Sequence, residues 1–435
     1  MVGKRTPDVS TPALDRRNLL LGAAATVAAA KLALPGGAFA QAAGPEVRGT
    51  KLGYIALTDA APLIIAKEKG LFAKYGVPDM DIAKQASWGA TRDNMALGFA
   101  RNGIDGGHIL RPKTHLYATG QVMQNNQPLP MYSLLGLNED CQGISVAGEY
   151  KDLNIQKDAS PLKEAFARKK ASGKELTAAM TFPGGTHDLW LRYWLAAGGI
   201  DPDNDIKVIT VPPPQMVANM KVGTMDCFCV GEPWNEQLVN QNIGYTALTT
   251  GELWNRHPEK VLGMRADFVD KNPKATQAIM LAVMEAQMWC DKAENKQEMA
   301  EIVGRRQWFN VPVADIIGRI RGEINYGNGR KVSDPKLAMK FWGEGGAVSY
   351  PWKSLDTWFI TENIRWGKFA PGTDIKALVD RTNRSDLWLE AAKTLGVANA
   401  PKGDSRGVET FFDGVVFDPA KPEEYLKALK IKRVA

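Results

Sequence analysis

Four stretches of the sequence join small, flexible residues to hydrogen-bond donors where a strand-like run gives way to a helix-like one. They are Thr58-Asp59, Ser87-Trp88-Gly89-Ala90-Thr91-Arg92, Pro183-Gly184-Gly185-Thr186-His187-Asp188 and Val230-Gly231-Glu232-Pro233-Trp234. Ligands of open α/β sheets collect beyond the carboxyl ends of strands, so these turns are the candidate site. The third is the most telling. Gly184 and Gly185 let the backbone approach a ligand, and a helix begins at once, with free N–H groups and a positive dipole end that favour an anion. His187 falls in its first turn with a ring nitrogen to donate. The competing reading is a plain turn in which Thr186 caps the helix and His187 is exposed; the residues alone favour it. Trp88 offers an indole N–H or a ring face to a ligand, or packs on a helix as a rim tryptophan. Gln142 and Lys260 carry no local signal, and Lys260, after His257-Pro258-Glu259, reads as a surface lysine.

The chain offers little else for chemistry. No GxSxG pattern, Walker lysine or dinucleotide fingerprint is present. His108, His115, His187 and His257 are scattered, and no Cys/His spacing resembles a closed zinc site. No metal or cofactor is expected. Cys227 and Cys229 stand two apart in an apparent strand, so they share a face and are poorly placed to bridge each other. Together with Cys141 and Cys290 they read as small buried hydrophobes.

The amino terminus reads as an address. Arg16-Arg17 precede an Ala/Gly/Leu-rich run from Leu19 to about Leu34, and Ala38-Phe39-Ala40 supplies a small-x-small cleavage pattern. The paired arginines point to twin-arginine export, with cleavage after about Ala40. The leader holds five Lys/Arg and two Asp of a chain with 54 basic and 48 acidic residues, so the remainder keeps 49 against 46. That balance does not point to nucleic acid. The mature chain is expected to be soluble outside the cytoplasm.

Positioning the four turns requires a strand–helix alternation, and the sequence supplies it. Strands are predicted over Lys51–Leu57, Met80–Ala83, Ile104–Ile109, Glu175–Phe182, Ile206–Val211 and Asp226–Val230. Helices are predicted over Pro62–Lys69, Thr91–Arg101, Asp188–Ala197 and Pro214–Val222, and Asn272-Pro273 opens a longer one. The rhythm predicts two open, mostly parallel sheets flanked by helices, followed by a helical extension. Trp342, Trp352, Trp358, Trp366 and Trp388 read as packing anchors of that extension.

The phrases Gly53–Phe72, SWGATRDN (Ser87–Asn94), IDGGHIL (Ile104–Leu110), TFPGGTHDLWLRYWLAAGGIDPDND (Thr181–Asp205), VPPPQMVANMKVGT (Val211–Thr224), FCVGEPWN (Phe228–Asn235) and TGELWNRHPEK (Thr250–Lys260) together resemble the solute-binding proteins for nitrate, sulfonates and thiamine precursors. The resemblance is to their nitrate- and bicarbonate-binding branch and covers nearly the whole mature chain. It implies a two-lobed periplasmic-binding-protein fold of type II, with residues 41–140 and 241–435 in one lobe and 141–240 in the other. It implies that Trp88, Gln142, His187 and Lys260, with backbone near Val230 and Gly231, hold a small anion in the cleft. On that reading Lys260 supplies the compensating cation, and nitrate or nitrite is the ligand. The partners implied are the permease and ATPase of an ABC importer, and a monomer is expected. Bicarbonate held with calcium is the alternative, and Lys260 in place of an acid argues against it. A thiamine-pyrimidine-synthase-like enzyme is a weaker one, resting on Cys227-Phe228-Cys229. Gly89-Ala90 replaces a proline-containing form of the tryptophan turn, a change expected to relax it.

Overall fold

The computed structural model describes Gly3 and residues 44–433; the expected leader over residues 1–40, Gly3 aside, lies outside the described residues. Ten strands build two five-stranded sheets in the unit Pro45–Ala435. They are β1 (Lys51–Tyr54), β2 (Asp81–Lys84), β3 (Gly106–Leu110), β4 (Met131–Gly136), β5 (Gln142–Ala147), β6 (Thr177–Met180), β7 (Lys207–Thr210), β8 (Cys227–Gly231), β9 (Gly244–Thr249) and β10 (Lys260–Arg265). The first sheet runs β2-β1-β3-β10-β4 and the second β7-β6-β8-β5-β9. In each, a single strand opposes the rest: β10 is antiparallel to β3 and β4, and β5 to β8 and β9. The remaining pairs are parallel, as the strand–helix rhythm requires.

The two opposing strands show how the lobes are joined. The chain leaves the first sheet at β4 and enters the second at β5; it leaves the second at β9 and returns at β10. The second lobe therefore extends through Thr249 rather than ending at 240. The reason is burial: Tyr245, Ala247 and Leu248 need cover, and β9 finds it beside β5.

The carboxy-terminal extension, expected with the first lobe, serves both. Trp388, Ala391 and Ala392 join the core that includes Leu134, Leu135 and the long helix Pro273–Asp291. Trp358, Phe359, Trp366, Phe411, Phe417 and Tyr425 join the second-lobe core around Trp190 and Trp254. The Trp190 and Trp358 rings stack at 4.8 Å, and Trp254 lies 5.1 Å from Trp358. Each such ring buries roughly 150–250 Å², an upper bound of about 4–6 kcal/mol by area.

Cys227 and Cys229 lie in one core and Phe228 and Val230 in the other, the alternation a strand imposes. Cys141, Cys227, Cys229 and Cys290 are free and buried. Among the described residues no helix is long and apolar enough to cross a membrane.

Candidate functional site

The turns picked out from the sequence meet where the lobes face each other. From the first lobe, Asp59 sits in the short turn after β1, and Trp88 opens α1 (Trp88–Leu97). Ser87 caps that helix, its Oγ accepting from the Ala90 N–H at 3.1 Å. This cap fixes Trp88, which is fully buried, so Gly89-Ala90 leaves the turn well held. The Trp88 ring lies 5.3 Å from the His108 ring on β3. His108 Nε2 contacts Asp59 Oδ1 at 2.5 Å, and the Lys260 ammonium at the start of β10 donates to Asp59 Oδ2 at 2.5 Å.

The second lobe supplies the facing wall. Gly231 is paired with Gln142, and a Cβ on Gly231 would stand 3.4 Å from Asp59 Oδ2, so glycine permits the close approach. Thr186 Oγ1 donates to Gln142 Oε1 at 2.7 Å, which brings the start of α2 (Thr186–Ala197) against Gln142. Next to it, His187 Nδ1 meets Thr181 Oγ1 at 2.6 Å. Val230 is less exposed to a ligand than expected, because its carbonyl accepts from Asn235 Nδ2 at 3.0 Å.

Two expectations change. The α2 start is only partly open: Asp188 Oδ2 accepts from the Gly184 N–H at 2.7 Å, and the Gly185 N–H is bonded to the Phe182 carbonyl, which leaves the N–H groups of the first helical turn. Nor is it the plain capped turn, because Thr186 turns to Gln142 and His187 is fully buried. Lys260 is buried too, and its charge is already matched by Asp59, with Glu259 a further 3.7 Å away. It is therefore half of an ion pair and no free cation.

What the wall does offer is unpartnered donors. Trp88 Nε1, Gln142 Nε2, His187 Nε2 and Thr58 Oγ1 are buried and have no hydrogen-bond partner. A buried polar group without a partner costs about 1–3 kcal/mol, and native folds leave few of them. Four such groups on turns that converge from both lobes form a cradle for an acceptor-rich ligand. The broad groove on the carboxy-terminal extension lined by Lys353, Asp380, Arg384 and Asp404 contains none of these donors.

The titratable groups are strongly conditioned. Burial would raise the Asp59 carboxyl, but Lys260 and His108 outweigh it and hold Asp59 well below the usual carboxylate range. Burial would lower Lys260, but Asp59 and Glu259 outweigh it and keep the ammonium charged. At His108 and His257 burial wins over the neighbouring carboxylates and lowers both imidazoles. At His187 burial, with Lys260 adding to it, pushes the imidazole well below its ordinary value. Glu259 accepts from Asn138 Nδ2 at 2.8 Å, the Cys141 N–H at 2.7 Å and Thr250 Oγ1 at 3.3 Å, and His257 Nδ1 meets it at 3.3 Å.

Ligand atoms of Asp59, Cys141 and Glu259 lie within 4.8 Å of one another. The Lys260 ammonium stands against both carboxylates and takes the place a metal cation would need. Asp59, His108, Glu259 and Thr58 were not named by the resemblance. Only Thr58-Asp59 could be found from sequence, through its position after the first strand.

A cleft between two mixed sheets joined by two crossings, walled with unpartnered donors, has the build of a two-lobed solute-binding protein. The chain belongs to the NMT1-like family, which it matches over residues 43–304. It is 58% identical over 393 residues to the nitrate/nitrite binding protein NrtA of Synechocystis sp., covering 90% of this chain and 86% of that protein. It is 47% identical over 399 residues to the bicarbonate-binding protein CmpA of Synechococcus elongatus, covering 89% and 88%. The crystal structure of the periplasmic nitrate-binding protein NrtA from Synechocystis superposes with a TM-score of 0.87 at 58% identity, over 89% of this chain and all of that one.

Proposed function

We propose that this chain captures nitrate, with nitrite as a second ligand, and delivers it to the permease and ATPase of an ABC importer. On this reading it acts in the periplasm as a monomer, with its leader removed, and catalyses nothing. The observation that carries the proposal is the set of unpartnered donors: Trp88 Nε1 and Thr58 Oγ1 from one lobe, Gln142 Nε2 and His187 Nε2 from the other. Nitrate is planar, singly charged and accepts hydrogen bonds around its whole edge. Donors drawn from several directions can meet its three oxygens at once. Closing the lobes removes water and strengthens each contact. The naming of the similar proteins points to the same ligand.

Bicarbonate is the second reading, supported by the relative that binds it. The Asp59–Lys260 ion pair speaks against the calcium-assisted form, because an ammonium already sits between the carboxylates. Titration calorimetry on the mature chain separates the two. Saturable heat with nitrate that is unchanged by a calcium chelator is expected. Binding of bicarbonate alone, abolished by the chelator, would replace nitrate with bicarbonate.

A further inference from the structure

The fixed charges of the site do not suit an anion as they stand. Asp59 and Glu259 are two buried carboxylates whose contacts are all donors, and Lys260 is the single ammonium between them. The group is therefore one negative charge in excess before any ligand enters. An unmatched charge in a dry site is costly, and a second one more so. Lys113 does not change the sign of this balance. It lies behind Trp88, donates to the Trp88 carbonyl at 2.9 Å and faces the rings of Phe182, Trp88 and Tyr117. Burial holds it well below the ordinary lysine value.

Of the four buried imidazoles, His115 lies away against Thr382, and three stand near these charges, each with one ring nitrogen committed and the other without a hydrogen-bond partner: His108 Nδ1, His187 Nε2 and His257 Nε2. Their committed nitrogens set His187 apart from the other two; His257 Nδ1, like His108 Nε2, meets a carboxylate (Glu259 at 3.3 Å), but its ring is packed against Trp190 and Trp254 in the second-lobe core, whereas His108 lies beside Trp88. His187 Nδ1 meets a hydroxyl, which can donate to it, so neutral His187 still presents an N–H at Nε2. His108 Nε2 meets a carboxylate oxygen, which can only accept, so neutral His108 already spends its one N–H on Asp59. Its Nδ1 is then a bare lone pair in a site awaiting an acceptor. A second proton there makes an imidazolium against Asp59 and cancels one negative charge. The charged groups facing His108 are Asp59 from the first turn and Lys260 and Glu259 at β10; the Trp88 ring covers it from α1.

Resting on the nitrate reading above, we propose that the anion is captured together with one proton, which His108 holds against Asp59. Binding then raises the proton affinity of His108, so nitrate affinity rises as pH falls through the histidine range, about pH 8 to 5. The limiting slope is close to tenfold per pH unit. Calorimetry of nitrate binding at pH 7 in phosphate and in Tris, whose ionisation heats differ, counts the protons taken up. About half to one proton per nitrate is expected. Equal heats in both buffers, with binding intact, would overturn the proposal. Absence of binding in both would instead overturn the nitrate reading.

His108→Gln keeps a donor for Asp59 but cannot titrate, and proton uptake near zero with residual binding is expected. Full uptake in that variant overturns the assignment to His108. If the variant does not fold, ¹⁵N spectra of the ring nitrogens in the unsubstituted chain decide, since it has four histidines. Both His108 nitrogens should reach imidazolium positions on nitrate addition, and an unchanged neutral pattern counts against the proposal.

Discussion

On the nitrate reading Trp88 offers one donor, Nε1, which no protein group uses, and Trp88→Phe removes it while keeping a ring beside His108. A hydrogen bond to a charged group is worth about 1.5–3 kcal/mol, so nitrate affinity should fall about 10- to 100-fold by calorimetry. Unchanged affinity would remove Trp88 from the site. Lys260→Ala tests a different role. It strands the buried Asp59 carboxylate, and losing one partner of a buried pair costs about 3–5 kcal/mol. The variant should therefore unfold at clearly lower temperature even without ligand, which a lysine serving the anion alone would not show. The strand–helix rhythm singles out the turns that carry Trp88 and His187, whereas only the resemblance singles out Gln142; each has a commonplace structural reading beside it. Asp59 was visible as a turn residue after the first strand. Its link to Lys260, 201 residues away, leaves no local trace, so the residues alone show Lys260 as a surface lysine and the resemblance as the ligand's cation.

The elements that carry these residues were legible to different degrees. Strands flanked by helices, β1, β2, β3, β6, β7 and β8, lie inside or within a residue of the expected ranges. The four strands around the lobe crossings, β4, β5, β9 and β10, were not assigned. They are six-residue runs outside the strand–helix–strand rhythm, and an apolar run of that length fits a strand or a buried helix equally. The boundary at 240 failed for that reason. One helix in this region carries a stability switch. Glu236, on the helix Trp234–Asn240, is raised to about 8, first by burial and then by Glu232. A carboxyl with a raised folded pKa contributes stability that is full below its unfolded value, near 4.5, and lost as pH rises through about 8. Glu236→Gln has nothing to lose. Its melting temperature should match the parent near pH 4.5 and exceed it increasingly up to about pH 8. A constant difference across that window would refute the assignment.

At the scale of the molecule, two lobes, two crossings and an extension packed on both cores make one device. The resemblance puts the extension with one lobe; the aromatic pairing of Trp358 with Trp190 and Trp254 ties it to the other as well. It braces both lobes: Arg111 of the first pairs with Asp356, and Asn363 Nδ2 donates to the Gly184 carbonyl of the second. The central claim is that an anion sits in this cleft on donors from both lobes. A crystal structure of the mature chain grown with nitrate tests it most directly. Planar three-fold density is expected within hydrogen-bond distance of Trp88 Nε1, Gln142 Nε2 and His187 Nε2. Nitrate density elsewhere, or those three nitrogens satisfied by protein groups with the lobes closed, would contradict it.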